Sequence, residues 1–155
     1  MIVGIGVDLV DIPRFERTIE RTPQLLARLF SEAEQQLKPH SQAARYAAKE
    51  ALIKALGGSD GVHWTEIEIA SEASGRPVFS LRGSTAEVVA GRGITALHLS
   101  LSHDAGLATA YVILESVPGL PNQGILHETE GHVPGLGADP LSRETPGAGR
   151  EGAGA

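Results

Sequence analysis

The stretch "RYAAKEALIKALG", Arg45 to Gly57, constrains this chain more than any other. Alanine, leucine, lysine and glutamate are the strongest helix formers, and the glycine pair at 57–58 supplies a stop. A helix that only filled a core would normally carry larger apolar side chains on its inner stripe. Here the stripe is alanine, with two adjacent opposite charges, Lys49 and Glu50, set inside it. Either helix propensity alone explains this composition, or something bulky and charged lies close to the helix.

The segments around it predict a small mixed fold. Residues 2–9, "IVGIGVDL", form an apolar run with two glycines and predict a buried strand whose backbone a neighbour approaches closely. Asp11 and Pro13 suit an N-cap and first turn. Ser31 and Glu34 make a capping box for a short helix that Pro39 and His40 break, and Ser41 can cap the longer helix through Leu56. Residues 64–70 alternate as a strand. "SGRP" is a turn leading into the strand "VFSLR", and Ser84 with Glu87 repeats the capping box for a helix ending near Gly91 or Gly93. "ALHLSLSH" and "GLATAYVIL" read as two strands joined by a hairpin at "DAG". The order β-α-α-α-β-β-α-β-β implies an α+β fold, a mainly antiparallel sheet packed with helices.

At 155 residues the chain is expected to form one domain, residues 1–116. The remainder, 117–155, is rich in glycine and proline, has no periodicity and is expected to be disordered. His127 and His132 within it lack the company a metal site needs. With no cysteine there is no disulfide framework, thiolate metal site or cysteine nucleophile. The N-terminus lacks a basic region and meets Asp8 early, unlike a signal peptide, and no apolar run approaches the ~20 residues of a membrane span. A cytoplasmic protein without membrane attachment is expected. A net charge of −6 argues against nucleic-acid binding through overall charge.

Several residues could do chemistry. Asp8 stands where an apolar strand gives out, as a solvated strand end or a ligand for a hard cation. Glu50 and Lys54 share a helix face one turn apart, either as a surface pair or as a Mg²⁺ ligand beside a phosphate contact. Arg45 and Lys49 occupy an adjoining face. In "LSLSHD", residues 99–104, Ser100 and Ser102 lie on one strand face and His103 on the other, at the hairpin tip. No G-x-S-x-G elbow is present, so a serine nucleophile is discounted. Arg14, Arg17 and Arg21 line one face of the first helix, with Arg28 following. Glu16 and Glu20 could neutralise that stripe, or it could dock an acidic partner.

The order of "GIGVDLVDIPRF", "FSEAE", "RYAAKEALIKALG", "GRP" and "LSLSHD" resembles the 4′-phosphopantetheinyl transferases of the short holo-acyl-carrier-protein synthase type, over roughly residues 2–115. The resemblance implies an enzyme that moves phosphopantetheine from coenzyme A to a serine of an apo-acyl-carrier protein, releasing adenosine 3′,5′-bisphosphate, for fatty-acid synthesis. It implies Mg²⁺ held by Asp8 and Glu50, with Lys54 as the third catalytic residue. Lys54 and His103 would meet the pyrophosphate. Arg45, Lys49, Gly75 and Pro77 would belong to the coenzyme A site, and Arg14, Arg21 and Arg28 would face the carrier protein. It further implies a homotrimer with active sites at subunit boundaries. Glu50 or a metal-bound water could accept the serine proton. A transferase of the same fold serving polyketide or peptide carriers and a non-catalytic adaptor are the competing readings.

Overall fold

The computed structural model describes residues 1–119 and the two-residue strand at 125–126. Strand β1 (Ile2–Asp11) leads through α1 (Ile12–Arg21), α2 (Leu25–Leu29) and α3 (Glu32–Gln35) into the long helix α4 (Pro39–Ala55). A 3₁₀ turn at Trp64–Glu66 precedes β2 (Ile67–Ser71), β3 (Pro77–Leu81), α5 (Gly83–Gly91), β4 (Ala96–Asp104) and β5 (Leu107–Glu115). One antiparallel sheet has the order β1-β5-β4. The other joins β2 and β3 antiparallel, with β6 (Ile125–Leu126) added parallel to β3. The α+β class and the largely antiparallel sheets match expectation.

Helix α4 lies directly on the inner face of β1 and β5, and this contact explains its small side chains. A Cβ at Gly6 would overlap the carbonyl oxygen of Ala51, and one at Gly4 the carbonyl of Ala55. Ala47, Ala48 and Ala51 are fully buried, as are Ala108 and Ala110 of β5. At Gly4 and Gly6 the strand meets the helix backbone so closely that no side chain fits on the strand. The alanines therefore answer to the sheet and not to a ligand. Close approach to the β1 glycines was legible in the sequence; its consequence for α4 was not.

The expectation of a buried strand holds for one face of β1 and not for the other. Its inner face carries Gly4, Gly6 and Val10, whereas Ile5, Val7 and Leu9 are 64%, 45% and 59% exposed on the outer face. An unbroken apolar run cannot distinguish a strand buried twice from one whose second face awaits a partner.

Local signals fared unevenly. Asp11 caps α1 by accepting from the Arg14 amide at 2.8 Å. The Ser31–Glu34 capping box is present in both directions, at 3.1 and 3.3 Å. The β4–β5 hairpin turns through Ala105 and Gly106, both at positive φ, as a two-residue primed turn requires. By contrast α4 begins at Pro39, where the missing N–H costs nothing, and Ser41 is buried inside it. Trp64–Glu66 is a 3₁₀ turn before the strand. The Ser84–Glu87 box does not form. Instead the Glu66 carboxylate accepts from the Thr85 amide, the Thr85 hydroxyl and the Ser84 hydroxyl at 2.8, 2.8 and 3.0 Å. The first turn of α5 is thus satisfied from another element. Within the segment expected to lie beyond the fold, Val117 donates to Thr95 and residues 125–126 pair with β3. Most of that segment, with His127 and His132, lies outside the described residues.

Candidate active site

Asp8 belongs to the inner face of β1, in register with Ala110 and, one strand further, Leu101. The α4 face above it carries Glu50 and Lys54. The Lys54 Nζ donates to Asp8 Oδ1 at 2.6 Å and to the Val7 carbonyl at 3.2 Å. This contact is only part-shielded, with side-chain exposures of 52% for Lys54 and 15% for Asp8. The hydrogen bond to Asp8 holds the Lys54 ammonium above its ordinary pKa. Glu50 accepts from the Tyr46 hydroxyl at 3.2 Å, one turn earlier on the same helix face. Burial, followed by the charge of Glu50, pushes the Tyr46 phenol up to about 12. Tyr46 stays protonated and stays a donor.

Asp8 and Glu50 open onto one cavity of about 440 Å³. Asp11, Arg14, Thr18 and Tyr46 complete its polar lining, and residues such as Phe15, Ile19, Leu25 and Leu29 give it an apolar wall. No group of three or more acidic, histidine or cysteine side chains suited to a metal occurs among the described residues. Two carboxylates from different elements do meet there. That number suits Mg²⁺, which takes one or two protein carboxylates and fills its shell with water and substrate phosphate.

Lys49 does not join them. Its side chain is fully buried, and its Nζ donates to Glu34 Oε2 and the Leu29 carbonyl at 2.7 Å and to the Trp64 carbonyl at 3.2 Å. All three ammonium hydrogens have acceptors within the chain, which ties Lys49, expected in the coenzyme A site, to the interior of the fold. The adjacent Lys-Glu pair thereby divides between interior and cavity. Arg45 is also buried, donating from Nη1 to the Ser41 carbonyl at 3.3 Å. His103 lies in the β4 row with Ala108 and Val10, two strands or roughly 10 Å from Val10. Gly75 occupies the β2–β3 turn at φ 82°, and Pro77 opens β3 in the second sheet. Within one chain, Arg45, His103, Gly75 and Pro77 are not in the cavity lining.

Arg14, Arg17, Arg21 and Arg28 are exposed, and among the described residues none has a carboxylate within 4 Å. Glu16 and Glu20 form no direct ion pair with the stripe, which begins at the cavity with Arg14. Sequence reasoning missed Tyr46, although its i,i+4 spacing to Glu50 was a visible signal. It also missed Glu34 as a hub. Besides Lys49 and its own capping box, Glu34 takes the Ile69 amide on Oε1 at 3.0 Å, a contact no local pattern announces.

Comparison with known proteins identifies the family of the chain. The pattern of the 4′-phosphopantetheinyl transferase superfamily matches residues 4–111. A holo-acyl-carrier-protein synthase of Clavibacter sepedonicus is 58% identical over 115 residues, 74% of this chain and 97% of that protein. One from Leifsonia xyli subsp. xyli is also 58% identical over 115 residues, covering 74% and 98%. Among solved structures, the holo-acyl-carrier-protein synthase of Neisseria meningitidis superposes with a TM-score of 0.70 at 32% identity, over 75% of this chain and all of that one. The Helicobacter pylori synthase in complex with coenzyme A gives 0.64 at 33% identity, over 72% and 99%. The chain belongs to the 4′-phosphopantetheinyl transferase superfamily, among the holo-acyl-carrier-protein synthases.

Proposed function

We propose that the chain transfers 4′-phosphopantetheine from coenzyme A to a serine of an apo-acyl-carrier protein, as a Mg²⁺-dependent holo-acyl-carrier-protein synthase of the cytoplasm serving fatty-acid synthesis. The observation that carries the reading is the meeting of Asp8 and Glu50 at one cavity with Lys54 on Asp8. In this reading the serine hydroxyl gives its proton to Glu50 or to water as its oxygen forms a bond to the pantetheine-side phosphorus of the coenzyme A pyrophosphate. The bond to the bridging oxygen breaks, and adenosine 3′,5′-bisphosphate leaves.

Asp8 and Glu50 would hold Mg²⁺, which when bound supplies charge neutralisation across the pyrophosphate oxygens. The half-exposed ammonium of Lys54 is near enough to exchange Asp8 for a phosphate oxygen, adding positive charge where the leaving group gains negative charge. Arg14, Arg21 and Arg28 offer exposed basic side chains on an otherwise acidic chain, suited to an acidic helix of the carrier protein. Ile5, Val7, Leu9 and Tyr111 leave the outer sheet face apolar and open, which supports a homotrimer. His103, Gly75 and Pro77 would then complete the coenzyme A site across a subunit boundary. No helix among the described residues is long and apolar enough to cross a membrane.

Intact mass of an apo-carrier protein incubated with the chain, coenzyme A and Mg²⁺ tests the reaction. A gain of one phosphopantetheinyl group is expected, abolished by EDTA and in Asp8→Ala and Glu50→Ala. No gain from folded protein that binds coenzyme A would overturn the reading. Comparing fatty-acid and polyketide apo-carriers in the same assay tests the pathway, and light scattering tests for three chains per particle.

A further inference from the structure

The two carboxylates at the cavity are prepared in the same way by different donors. Asp8 has Oδ1 occupied by Lys54, and Glu50 has Oε1 occupied by the Tyr46 hydroxyl. Among the described residues neither Oδ2 of Asp8 nor Oε2 of Glu50 takes a hydrogen bond. A carboxylate with one oxygen held loses rotational freedom and offers the other as a single-oxygen ligand. The donor on Glu50 is itself fixed. The Tyr46 ring stacks on Trp64 with centroids 5.4 Å apart and planes 9° apart, and packs against Phe15 at 5.6 Å. Trp64 is tied in turn through its carbonyl to the buried Lys49 ammonium. A continuous set of contacts therefore runs from the Glu34–Lys49 pair through Trp64 and Tyr46 to Glu50.

We propose that Tyr46 is a positioning residue whose hydroxyl fixes the Glu50 carboxylate and leaves Oε2 to the divalent cation. The inference rests on the reading of Asp8 and Glu50 as metal ligands. The competing account is that Tyr46 is a part-buried phenol using the nearest acceptor, because such hydroxyls usually find a partner. The two accounts differ for Tyr46→Phe. That variant keeps the ring for the stack and removes only the donor.

Binding of Mn²⁺ by the full-length chain, with coenzyme A present, can be followed by the loss of its free-ion paramagnetic resonance signal. The single tryptophan, Trp64, gives a second readout through its fluorescence. Tyr46→Phe is expected to weaken Mn²⁺ binding about tenfold, as loss of a partner behind a metal ligand does. The metal concentration for half-maximal activity should rise with it, while the thermal midpoint in EDTA stays within a degree or two of wild type. Glu50→Gln serves as the control for binding at this site. Equal Mn²⁺ affinity in wild type and Tyr46→Phe, with Glu50→Gln weakened, would overturn the role of Tyr46 alone. Wild-type protein that binds no Mn²⁺, or binds it regardless of Glu50→Gln, would overturn the metal reading and this inference together.

Discussion

Helix α4 carries two lysine–carboxylate pairs, Lys49–Glu34 at 2.7 Å and Lys54–Asp8 at 2.6 Å. Their chemistry and length nearly coincide, but their surroundings do not. The first has exposures of 0% and 2%, the second 52% and 15%. Burial pulls the Lys49 ammonium below its ordinary pKa, with Glu34 working against it, whereas the bond to Asp8 holds Lys54 above. The inner pair has no vacancy, because amides and carbonyls occupy the remaining positions. The outer pair keeps a free carboxylate oxygen and a half-exposed ammonium. Enclosure makes one pair part of the scaffold, and partial exposure leaves the other able to exchange partners.

Breaking the inner pair should have the largest effect. Lys49→Met leaves the Glu34 charge buried with no counter-ion and is expected to cost about 3–5 kcal/mol, measured by urea unfolding. Removing both charges, in Glu34→Met with Lys49→Met, should restore only part of this. The Ser31 and Ile69 amides would still lack their acceptor.

The outer pair should respond in the opposite sense. Asp8→Ala is expected to lower phosphopantetheinyl transfer by about 10²-fold or more while leaving unfolding nearly unchanged. A loss of stability as large as that of Lys49→Met would erase the distinction between the pairs.

Glu66 offers an intermediate case, a carboxylate that organises structure chiefly through amide and hydroxyl donors. Burial pushes its pKa up, but hydrogen bonds from the Thr85 amide, the Thr85 hydroxyl and the Ser84 hydroxyl outweigh this and hold it below the usual value. Its contribution is therefore full above the unfolded value near 4.5 and is lost as pH falls through the lower folded value. Glu66→Gln should cost about 1 kcal/mol at neutral pH and flatten the acid limb of a stability–pH curve. An unchanged limb would show that the α5 cap does not depend on charge.

The smallest effect is expected from Lys54→Met, within about 1 kcal/mol in unfolding, because a half-exposed pair is well screened. Its consequence should appear in turnover.

Much of the fold was legible because its signals are local. Asp11 before Pro13, the Ser31–Glu34 box and the Asp-Ala-Gly hairpin each act within a few residues of themselves. The signals that misled were also local, and a remote group displaced them. Glu66 reaches α5 and satisfies the turn that Ser84 and Glu87 could have closed. Pro39 starts α4 where it was expected to end the preceding helix.

Around the cavity, Asp8, Glu50, Lys54 and Arg14 could be singled out by residue type and motif order, while the roles given to them followed from the family resemblance and not from spacing. Lys49 could not be separated from Lys54 in the same way. Both are lysines on one helix, and helical spacing does not reveal which face the sheet will cover.

The sequence by itself determined the α+β class, the principal caps and turns, the close approach at Gly4 and Gly6, and the superfamily. Propensity and motif order are properties of neighbouring residues, so they survive without a fold. Only the tertiary structure decided that the alanines serve the sheet, that Lys49 is enclosed and Lys54 is not, and that Tyr46 holds Glu50. Each of those depends on which groups from distant parts of the chain exclude water around a charge, and that becomes defined only when the elements pack.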